Sequence, residues 1–157
     1  MKVKSIMNPE VAACHPADAL TKAAQIMWQK DCGCVPVVDP ATSELVGMVT
    51  DRDIAMAALL ANRPVHEIPL SDVMCRTVAS CKADETLRDV HARMRKQQVR
   101  RLPVVDKGKR LIGLVTLNDL INEAYASRST AAARRQREVG KTLAKISEHR
   151  ATNGEAQ

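Results

Sequence analysis

Apolar residues recur along this chain with two different spacings. Residues 18–30 carry them at the three- and four-residue spacing of one helix face, at Leu20, Ala23, Ala24 and Met27. This pattern predicts a helix with Asp18 as its N-cap. Continuous apolar runs at 35–38 and 45–50 predict two short strands, and Asp51 follows the second run at a position suited to begin another helix. The predicted order is therefore helix, strand, strand, helix.

The second half of the chain repeats this order. The same patterns predict a helix at 85–98, strands at 102–105 and 111–116, and a helix from Asn118. A shift of 67 positions superposes ten residues on identical ones, namely Met7, Val11, Ala12, Cys14, Leu20, Met27, Pro36, Val37, Val38 and Asp39. One residue is then lost from a loop, and a shift of 66 superposes Leu45, Gly47, Val49, Thr50 and Asp53. Fifteen identities in register indicate an internal duplication.

A duplicated unit of about 60 residues is too small to bury an adequate core alone, so the two copies are expected to pack as one module. We predict a first repeat at 1–61, a linker with two prolines at 62–69, and a second repeat at 70–126 that begins where Ser71 caps a turn at 72–74. Strands with continuous apolar runs are expected to be buried on both faces. Two equivalent clefts between the halves are then the natural ligand sites.

Residues 127–157 form a basic extension. Residues 1–125 hold 17 Lys and Arg against 15 Asp and Glu, whereas residues 126–157 hold 7 against 3. Within 129–150 one helical face is predicted to hold Val139, Leu143 and Ile146, with Arg135, Lys141 and Lys145 off it and Gly140 as an interruption. We expect this helix to pack on the module or across a dimer. Without aromatic anchors, binding to a membrane surface or to nucleic acid is the weaker interpretation.

Composition narrows the classes of function. The 157 residues are 45% hydrophobic yet only 1% aromatic, with one Trp, one Tyr and no Phe. Proteins that stack single-stranded nucleic acid on aromatic rings are therefore disfavoured. The longest apolar run, 54–61, is far shorter than the roughly 20 residues that cross a bilayer. The N-terminal residues lack the apolar region of a secretory signal, so a soluble cytoplasmic protein is expected.

The cysteines and histidines give no sign of a metal or catalytic site. The five cysteines, at 14, 32, 34, 75 and 81, are odd in number and lie in no CxxC spacing, which favours free thiols in a reducing cytoplasm. Cys14 and Cys81 occupy equivalent positions, which suggests a shared packing role. His91 lies on a helical apolar stripe and is interpreted as a partly buried packing residue. Because no hydrolase, kinase or metal-binding motif is present, we predict no catalytic residue, no metal and no enzyme activity.

Two pairs of sequence strings carry a family resemblance. VPVVD with LVGMVTDRDI, and LPVVD with LIGLVTLNDL, resemble the signature segments of the CBS domain, named after cystathionine β-synthase. The resemblance spans residues 1–125. It implies an α/β (α+β) fold of two pseudo-symmetric α-β-β-α repeats with small sheets flanked by helices, extended here by a C-terminal helix. It also implies regulation rather than catalysis, because such modules bind AMP, ADP, ATP, S-adenosylmethionine or NAD-type ligands between their repeats, and many pair as flat homodimers.

A Thr-x-x-Asp motif closes the second predicted strand of each copy. Thr50 with Asp53, and Thr116 with Asp119, bring a hydroxyl, a carboxylate and free backbone N–H groups together at the start of a helix. A carboxylate can accept both ribose hydroxyls, and the hydroxyl with the helix N-terminus suits a phosphate. The same residue types also cap helices, and that alternative stays open. The family resemblance implies that both Asp residues hold the ribose and both Thr residues lie beside the ribose or phosphate.

The residues before the first strand of each copy differ in charge. Arg100 and Arg101 stand in the second copy where the first has Gly33 and a cysteine. The resemblance implies that Arg101 first, and Arg100 second, meets the phosphates of a ligand. Arg52 is a further candidate, although its equivalent, Asn118, is uncharged. Because guanidinium groups fit phosphate oxygens well, the two sites are expected to be unequal.

The scarcity of aromatic residues also restricts how an adenine base would be held. We expect the base to lie among aliphatic residues at the strand starts, namely Val35, Pro36, Leu102 and Pro103, and to be bound by backbone N–H and C=O groups. Ribose and phosphate would supply the remaining polar contacts.

These features predict a regulatory module that binds an adenine nucleotide, AMP or ATP first, and signals occupancy to a protein partner. It requires no cofactor, forms a homodimer, and binds neither membrane nor nucleic acid. The alternative is a dimeric interaction scaffold whose basic C-terminal helix, within 127–157, binds a protein or nucleic-acid partner.

Overall fold

The computed structural model describes residues 1–126 and 129–148. Over these residues it contains five helices, α1 (Leu20–Gln29), α2 (Asp51–Leu60), α3 (Leu87–Gln97), α4 (Leu117–Tyr125) and α5 (Thr130–Ser147). The five strands are β1 (Cys34–Val38), β2 (Leu45–Thr50), β3 (Cys81–Lys82), β4 (Arg101–Val105) and β5 (Leu111–Thr116). Short 3-10 turns lie at Val3–Ser5, Val65–Glu67 and Leu70–Asp72. The architecture is α+β, as the sequence predicts.

The chain forms two compact units that interleave in sequence. The first unit consists of Glu10–Val78 and Val105–Ile112. The second consists of Met1–Pro9, Ala79–Val104 and the described residues from Gly113 onward. The opening nine residues therefore pack with elements of the second repeat. The repeat boundaries at 1–61 and 70–126 stay a prediction about the sequence, since the units follow a different division.

The core of the first unit surrounds a two-stranded antiparallel sheet. In the register of β1 and β2, Cys34 lies opposite Thr50 and Val35 opposite Val49. Every residue of β1 is buried, which fits a strand covered on both faces, whereas β2 alternates between buried and half-buried positions. The cluster around the sheet includes Cys14, Leu20, Ala23, Met27, Val35, Val37, Val49, Ile68, Leu70 and Met74. Burial on both faces was thus correctly expected for β1 but wrong for β2.

The second unit contains β3, most of the neighbouring strands β4 and β5 (Arg101–Val104 and Gly113–Thr116), and the helices α3, α4 and α5. Helix α5 packs against both α3 and α4. It buries Ala132, Val139 and Thr142 there. The expectation that the C-terminal helix packs on the module is therefore confirmed.

The packed face of α5 differs from the face predicted from the sequence. The helix ends at Ser147, and residues 149–150 of the predicted helix lie outside the described residues. Leu143, expected on the packed face, is 46% exposed. Arg135, expected off that face, is partly buried, and its Nε lies 3.1 Å from Oε2 of Glu123 in α4. The interface is polar at its edges, so apolar spacing alone could not locate it.

Helix N-termini also correct two sequence predictions. The N-cap of α1 is Ala19, which makes no side-chain capping bond. Asp18 does not cap this helix, because its Oδ2 accepts hydrogen bonds from the backbone N–H of His15 (2.7 Å) and from Nζ of Lys22 (2.8 Å). Ser71 likewise caps no turn, since it lies inside the turn Leu70–Asp72, whose N-cap is Pro69.

The predicted linker, 62–69, is more ordered than its prolines suggested. It contains the turn Val65–Glu67, and Ile68 is buried in the core of the first unit. Elsewhere the predicted elements agree with the observed ones to within about two residues, the usual uncertainty of helix ends. Strands β2 and β5 have the predicted bounds, and α4 begins at Leu117 rather than Asn118.

Each repeat supplies its opening segment to a strand of the other repeat. Asn8 pairs with Leu114 of β5 through reciprocal N–H to carbonyl hydrogen bonds, both 2.9 Å long. Cys75 pairs with Met48 of β2 in the same way, at 2.9 and 3.0 Å. These bonds satisfy backbone groups at the strand edges. Each repeat therefore adds an equivalent segment, at Asn8 or Cys75, to the edge of a strand in the other repeat.

Two equivalent glycines make room for these segments. A Cβ placed on Gly47 would lie 2.6 Å from Sδ of Met74, and one placed on Gly113 would lie 3.0 Å from the backbone oxygen of Asn8. These distances are shorter than ordinary van der Waals contacts. The strand can therefore approach its exchanged segment closely only where it lacks a side chain.

None of the helices in the described residues combines the length and apolar character needed to span a bilayer.

Candidate ligand-binding site

In the first unit, Thr50 and Asp53 form a reciprocal capping box at the start of α2. Oδ2 of Asp53 accepts hydrogen bonds from the backbone N–H and the hydroxyl of Thr50, both at 2.8 Å. Oγ1 of Thr50 in turn accepts a bond from the N–H of Asp53 at 3.2 Å. The two predicted site residues are thus brought together, and they satisfy two backbone donors of the helix N-terminus.

The second unit repeats this arrangement at the start of α4. Oδ2 of Asp119 accepts hydrogen bonds from the backbone N–H and the hydroxyl of Thr116, both at 2.7 Å. Oγ1 of Thr116 accepts a bond from the N–H of Asp119 at 3.3 Å. The capping role left open by the sequence is therefore observed in both copies.

Capping uses only part of each carboxylate. All the hydrogen bonds made by the Asp53 and Asp119 carboxylates in residues 1–126 and 129–148 involve Oδ2. Each Oδ1 keeps its capacity to accept hydrogen bonds from a ligand hydroxyl. Capping and ligand binding are consequently compatible at the same residue, and the ligand contact itself stays a prediction.

The predicted basic residues lie at the start of β4 and on α2. The carbonyl of Arg100 accepts a hydrogen bond from the N–H of Leu117 at 2.8 Å, which fixes this backbone beside the start of α4. Arg101 is half-buried in β4, whereas Arg100 and Arg52 are exposed. None of these three guanidinium groups forms an ion pair with another described residue. Their charge is therefore available to an anionic ligand.

The residues predicted to contact a base are covered by the protein's own atoms. Val35 and Leu102 have no exposed surface, and Pro36 and Pro103 are also buried. Their side chains stabilise the packing of β1 and β4. Contact between these residues and an adenine base stays a prediction.

A cavity beside Asp53 was not anticipated from the sequence. It has a volume of about 470 Å³ and is lined by one face of α2, including Asp53, Met56 and Leu60, together with Arg63 and Asp72. Val35, Pro36, Thr50 and Arg52 do not line it. The spacing of residues 53, 56, 57 and 60 on one helix face was the signal that could have indicated it.

The buried thiols confirm a packing role for the paired cysteines. Cys14 and Cys81 are buried at equivalent positions of the two units. Burial raises the pKa of the Cys14 thiol to about 11 and that of the Cys81 thiol to about 12, so both are protonated at neutral pH. Among the residues that the structure describes, no group of three or more His, Cys, Asp or Glu side chains is placed to hold a metal ion.

The side chain of His91 on α3 packs against α5, which confirms its predicted packing role. Its Nδ1 lies 2.8 Å from Oγ1 of Thr142, and the residue is 6% exposed. Burial, with a smaller contribution from the positive charge of Arg95, lowers the pKa of the imidazole, although Glu138 acts in the opposite direction. The ring is therefore neutral in the folded protein at neutral pH.

This burial predicts a pH dependence of stability. The unfolded chain binds a proton at His91 near pH 6.5 and the folded protein binds it only at lower pH, so the stability contribution is complete above pH 6.5 and is lost as the pH falls below it. We expect urea unfolding to show that the free energy of unfolding falls less between pH 7.5 and pH 5.5 in His91→Gln than in the parent protein. The variant His66→Gln, at an exposed site, should keep the parent's pH dependence. Equal losses in all three proteins would contradict the prediction.

The duplicated fold and its paired Thr–Asp motifs define a module of two CBS domains. The CBS domain family model matches residues 3–60 and 70–126, which together make up most of the chain. The chain therefore belongs to the CBS domain family.

Individual relatives agree with this assignment. CBS domain-containing protein YhcV of Bacillus subtilis is 36% identical over 131 residues, which cover 83% of this chain and 91% of that protein. The CBS domain pair of protein MJ0100, in complex with 5′-methylthioadenosine and S-adenosyl-L-methionine, superposes with a TM-score of 0.72 at 27% identity, covering 82% of this chain and 98% of that one. Hypoxic Response Protein I, crystallised with two coordinated zinc ions, superposes with a TM-score of 0.70 at 30% identity over 78% of this chain and 98% of that one.

Proposed function

We propose that this protein is a regulatory module that binds an adenine nucleotide at its Thr–Asp motifs and signals occupancy to a partner protein. The observation that carries the proposal is the repeated capping box, in which each aspartate keeps one carboxylate oxygen for a ligand. The adenosyl ligands of the MJ0100 domain pair, a similar structure, support the same ligand class. Regulation without catalysis and a cytoplasmic setting, consistent with five free thiols, belong to the same proposal.

Each part of an adenine nucleotide would meet a different group. Oδ1 of Asp53 or Asp119 would accept the ribose hydroxyls, and the N-terminus of α2 or α4 would attract the phosphate. Arg101 would add a charged phosphate contact in the second unit, where the first unit has Cys34. This difference favours AMP or ATP at the second motif and weaker binding at the first.

The base would be held without aromatic stacking. The single Trp and the single Tyr are 89% and 64% exposed and belong to α1 and α4, so neither is part of a strand start. Aliphatic side chains and backbone groups near Val35 and Leu102 would therefore have to provide the base contacts. Such contacts need a rearrangement of the buried strand starts, which would give ligand binding a structural consequence that a partner could detect.

Calorimetric titration of the protein with AMP, ATP, NAD and S-adenosylmethionine tests the proposal. Saturable binding of at least one of the four is expected. A ligand present at 100 times its Kd should stabilise the fold by about 2.7 kcal/mol in thermal unfolding, because it binds the folded state. Absence of heat and of thermal stabilisation for all four ligands would contradict the proposal.

We also propose that the protein forms a homodimer through α1 and α2. These helices expose Trp28, Met56, Leu59 and Leu60, whereas the equivalent helices α3 and α4 are covered by α5. An apolar face of this kind can pair with the same face of a second copy about a two-fold axis. The family resemblance, which implies that many such modules pair as flat homodimers, supports dimer formation.

Replacing Trp28 by Ser is expected to shift the protein from dimer to monomer in sedimentation equilibrium, because Trp residues are often among the few that dominate an interface. The matched control is Tyr125→Ser, which removes the other exposed aromatic residue, from α4, and should leave the dimer intact. A parent protein that is monomeric at all concentrations tested, or equal dissociation of both variants, would refute this interface.

A further inference from the structure

A cavity of about 530 Å³ lies among α3, α4 and α5, all within the second unit. Its apolar lining comes from Leu87 and Leu120, which are buried in the core. The volume lies in the range of small-molecule sites, and an apolar base with polar groups around it is the usual composition of such sites. This cavity is not lined by Thr116, Asp119, Arg100 or Arg101. It is therefore distinct from the proposed nucleotide motif of the same unit.

The charged side chains of the cavity are predominantly cationic. Five Lys and Arg side chains line it against two Glu side chains. Two of the cations are neutralised in ion pairs that join helices: Nη1 of Arg95 lies 3.1 Å from Glu138, and Nε of Arg135 lies 3.1 Å from Glu123. Lys141 also lies 3.1 Å from Glu138, which it shares with Arg95. The carboxylates are thus fully engaged, and the cavity keeps an excess of positive charge.

Arg88 of α3 and Arg134 of α5 supply the remaining positive charge. Neither side chain forms an ion pair or a side-chain hydrogen bond with another residue of the described chain. Both side chains are exposed, so their unpaired charges remain in contact with solvent although they line the cavity. Guanidinium groups can bind phosphate oxygens in a bidentate manner, and two of them match a doubly charged phosphomonoester.

We propose that this cavity is a second ligand site, which binds a small organic phosphate through Arg88 and Arg134. The phosphate bridges α3 and α5, and the organic part lies against Leu87 and Leu120. Because α5 forms one wall, occupancy stabilises its packing against α3 and α4. The ligand thereby controls how firmly the C-terminal helix is attached, independently of the nucleotide motifs.

His91 provides a local reporter for binding. It lines the cavity, whereas His15 and His66 belong to the first unit. The test follows the imidazole signals of His91 by NMR during titration with inorganic phosphate, glycerol 3-phosphate and phenyl phosphate at low ionic strength. The His91 signals are assigned from their absence in His91→Gln. We expect saturable shifts of these signals with phenyl phosphate and glycerol 3-phosphate, weaker binding of inorganic phosphate, and no shift when glycerol is added as the uncharged control.

Two variants identify the phosphate contacts. Arg88→Gln and Arg134→Gln should each weaken binding of phenyl phosphate about tenfold, since each removes hydrogen bonds to a charged group. The matched control is Arg137→Gln, which removes an exposed cation of α5 that does not line the cavity, and it should bind as the parent does. Asp119→Asn should also bind phenyl phosphate normally, so failure of the nucleotide proposal would leave this result unaffected.

Three results would overturn the proposal. The first is that none of the three phosphates moves the His91 signals. The second is an unchanged affinity in Arg88→Gln and Arg134→Gln. The third is an equal loss of affinity in Arg137→Gln, which would show only general attraction of anions to a basic helix.

Discussion

Replacing Asp119 by Asn is expected to weaken binding of AMP by about 10- to 100-fold. Hydrogen bonds to a charged group contribute roughly 1.5–3 kcal/mol, and the substitution removes the charge that would accept the ribose hydroxyls. The capping role is much less sensitive, because an Asn side chain of the same size can still accept a bond from the Thr116 hydroxyl, which now donates to Asp119 at 2.7 Å. Affinity and stability should therefore separate. Calorimetric titration and urea unfolding of the same variant measure the two effects.

The structure provides a matched control for this experiment. Thr86 and Asp89 form a third capping box, at the start of α3, with the same reciprocal hydrogen bonds. It stands outside the Thr-x-x-Asp motifs that follow β2 and β5. Asp89→Asn should change stability about as much as Asp119→Asn and leave AMP affinity unchanged. Parallel losses of affinity in both variants, or none in Asp119→Asn and Asp53→Asn, would return the motif aspartates to a purely capping role.

Adding one methyl group at Gly113 is expected to destabilise the protein by about 1–3 kcal/mol, the usual cost of overfilling a packed site. The new Cβ would lie 3.0 Å from the backbone oxygen of Asn8 and 3.0 Å from Sδ of Met7. The sulfur belongs to a flexible side chain and can move, whereas the backbone oxygen is held by its hydrogen bond to Leu114. This contact can therefore be relieved only if the segment that contains Met7 and Asn8 moves away from β5.

Two measurements distinguish this local effect from a general loss of stability. Urea unfolding of Gly113→Ala gives the total cost, and hydrogen exchange at the amides of Asn8 and Leu114 should accelerate more than exchange in β1. The control is Gly140→Ala, where a new Cβ meets no atom within 4 Å and the higher helix propensity of Ala should stabilise α5 by up to about 1 kcal/mol. Unchanged stability in Gly113→Ala would show that the segment tolerates displacement.

Local patterns in the sequence were sufficient for the elements nearest the candidate site. Strands β2 and β5 are short apolar runs that end in a Thr, and the following helix begins at once, so pattern and capping chemistry agree. Because the chain contains an internal duplication, an element or motif predicted in one copy is also predicted at the equivalent residues of the other. This is why both Thr–Asp motifs were found without any structural information.

Features that depend on distant partners could not be derived in this way. The two residues of β3 are strand only because β4 lies beside them, and no pattern can indicate a strand of two residues. The packed face of α5 includes Thr142 and the half-buried Arg135, so its apolar spacing pointed to Leu143 instead. The charged cavity above α3 combines residues from three helices, and its cations are dispersed in the sequence. In each case the deciding interaction joins residues that are far apart along the chain.

The exchanged segments determine when this protein can fold during its synthesis. Asn8 leaves the ribosome long before its partner Leu114 exists, and Val3, which is fully buried in the finished protein, donates its N–H to the carbonyl of Glu85, a residue made more than 80 positions later. A partly synthesised chain consequently exposes an unpaired strand edge in β2 until Cys75 emerges. The second unit is completed late, because its pairing of Asn8 with Leu114 joins residues that are far apart in the sequence. Rare codons or pauses before residue 114 should therefore prolong the period in which the nascent chain can aggregate.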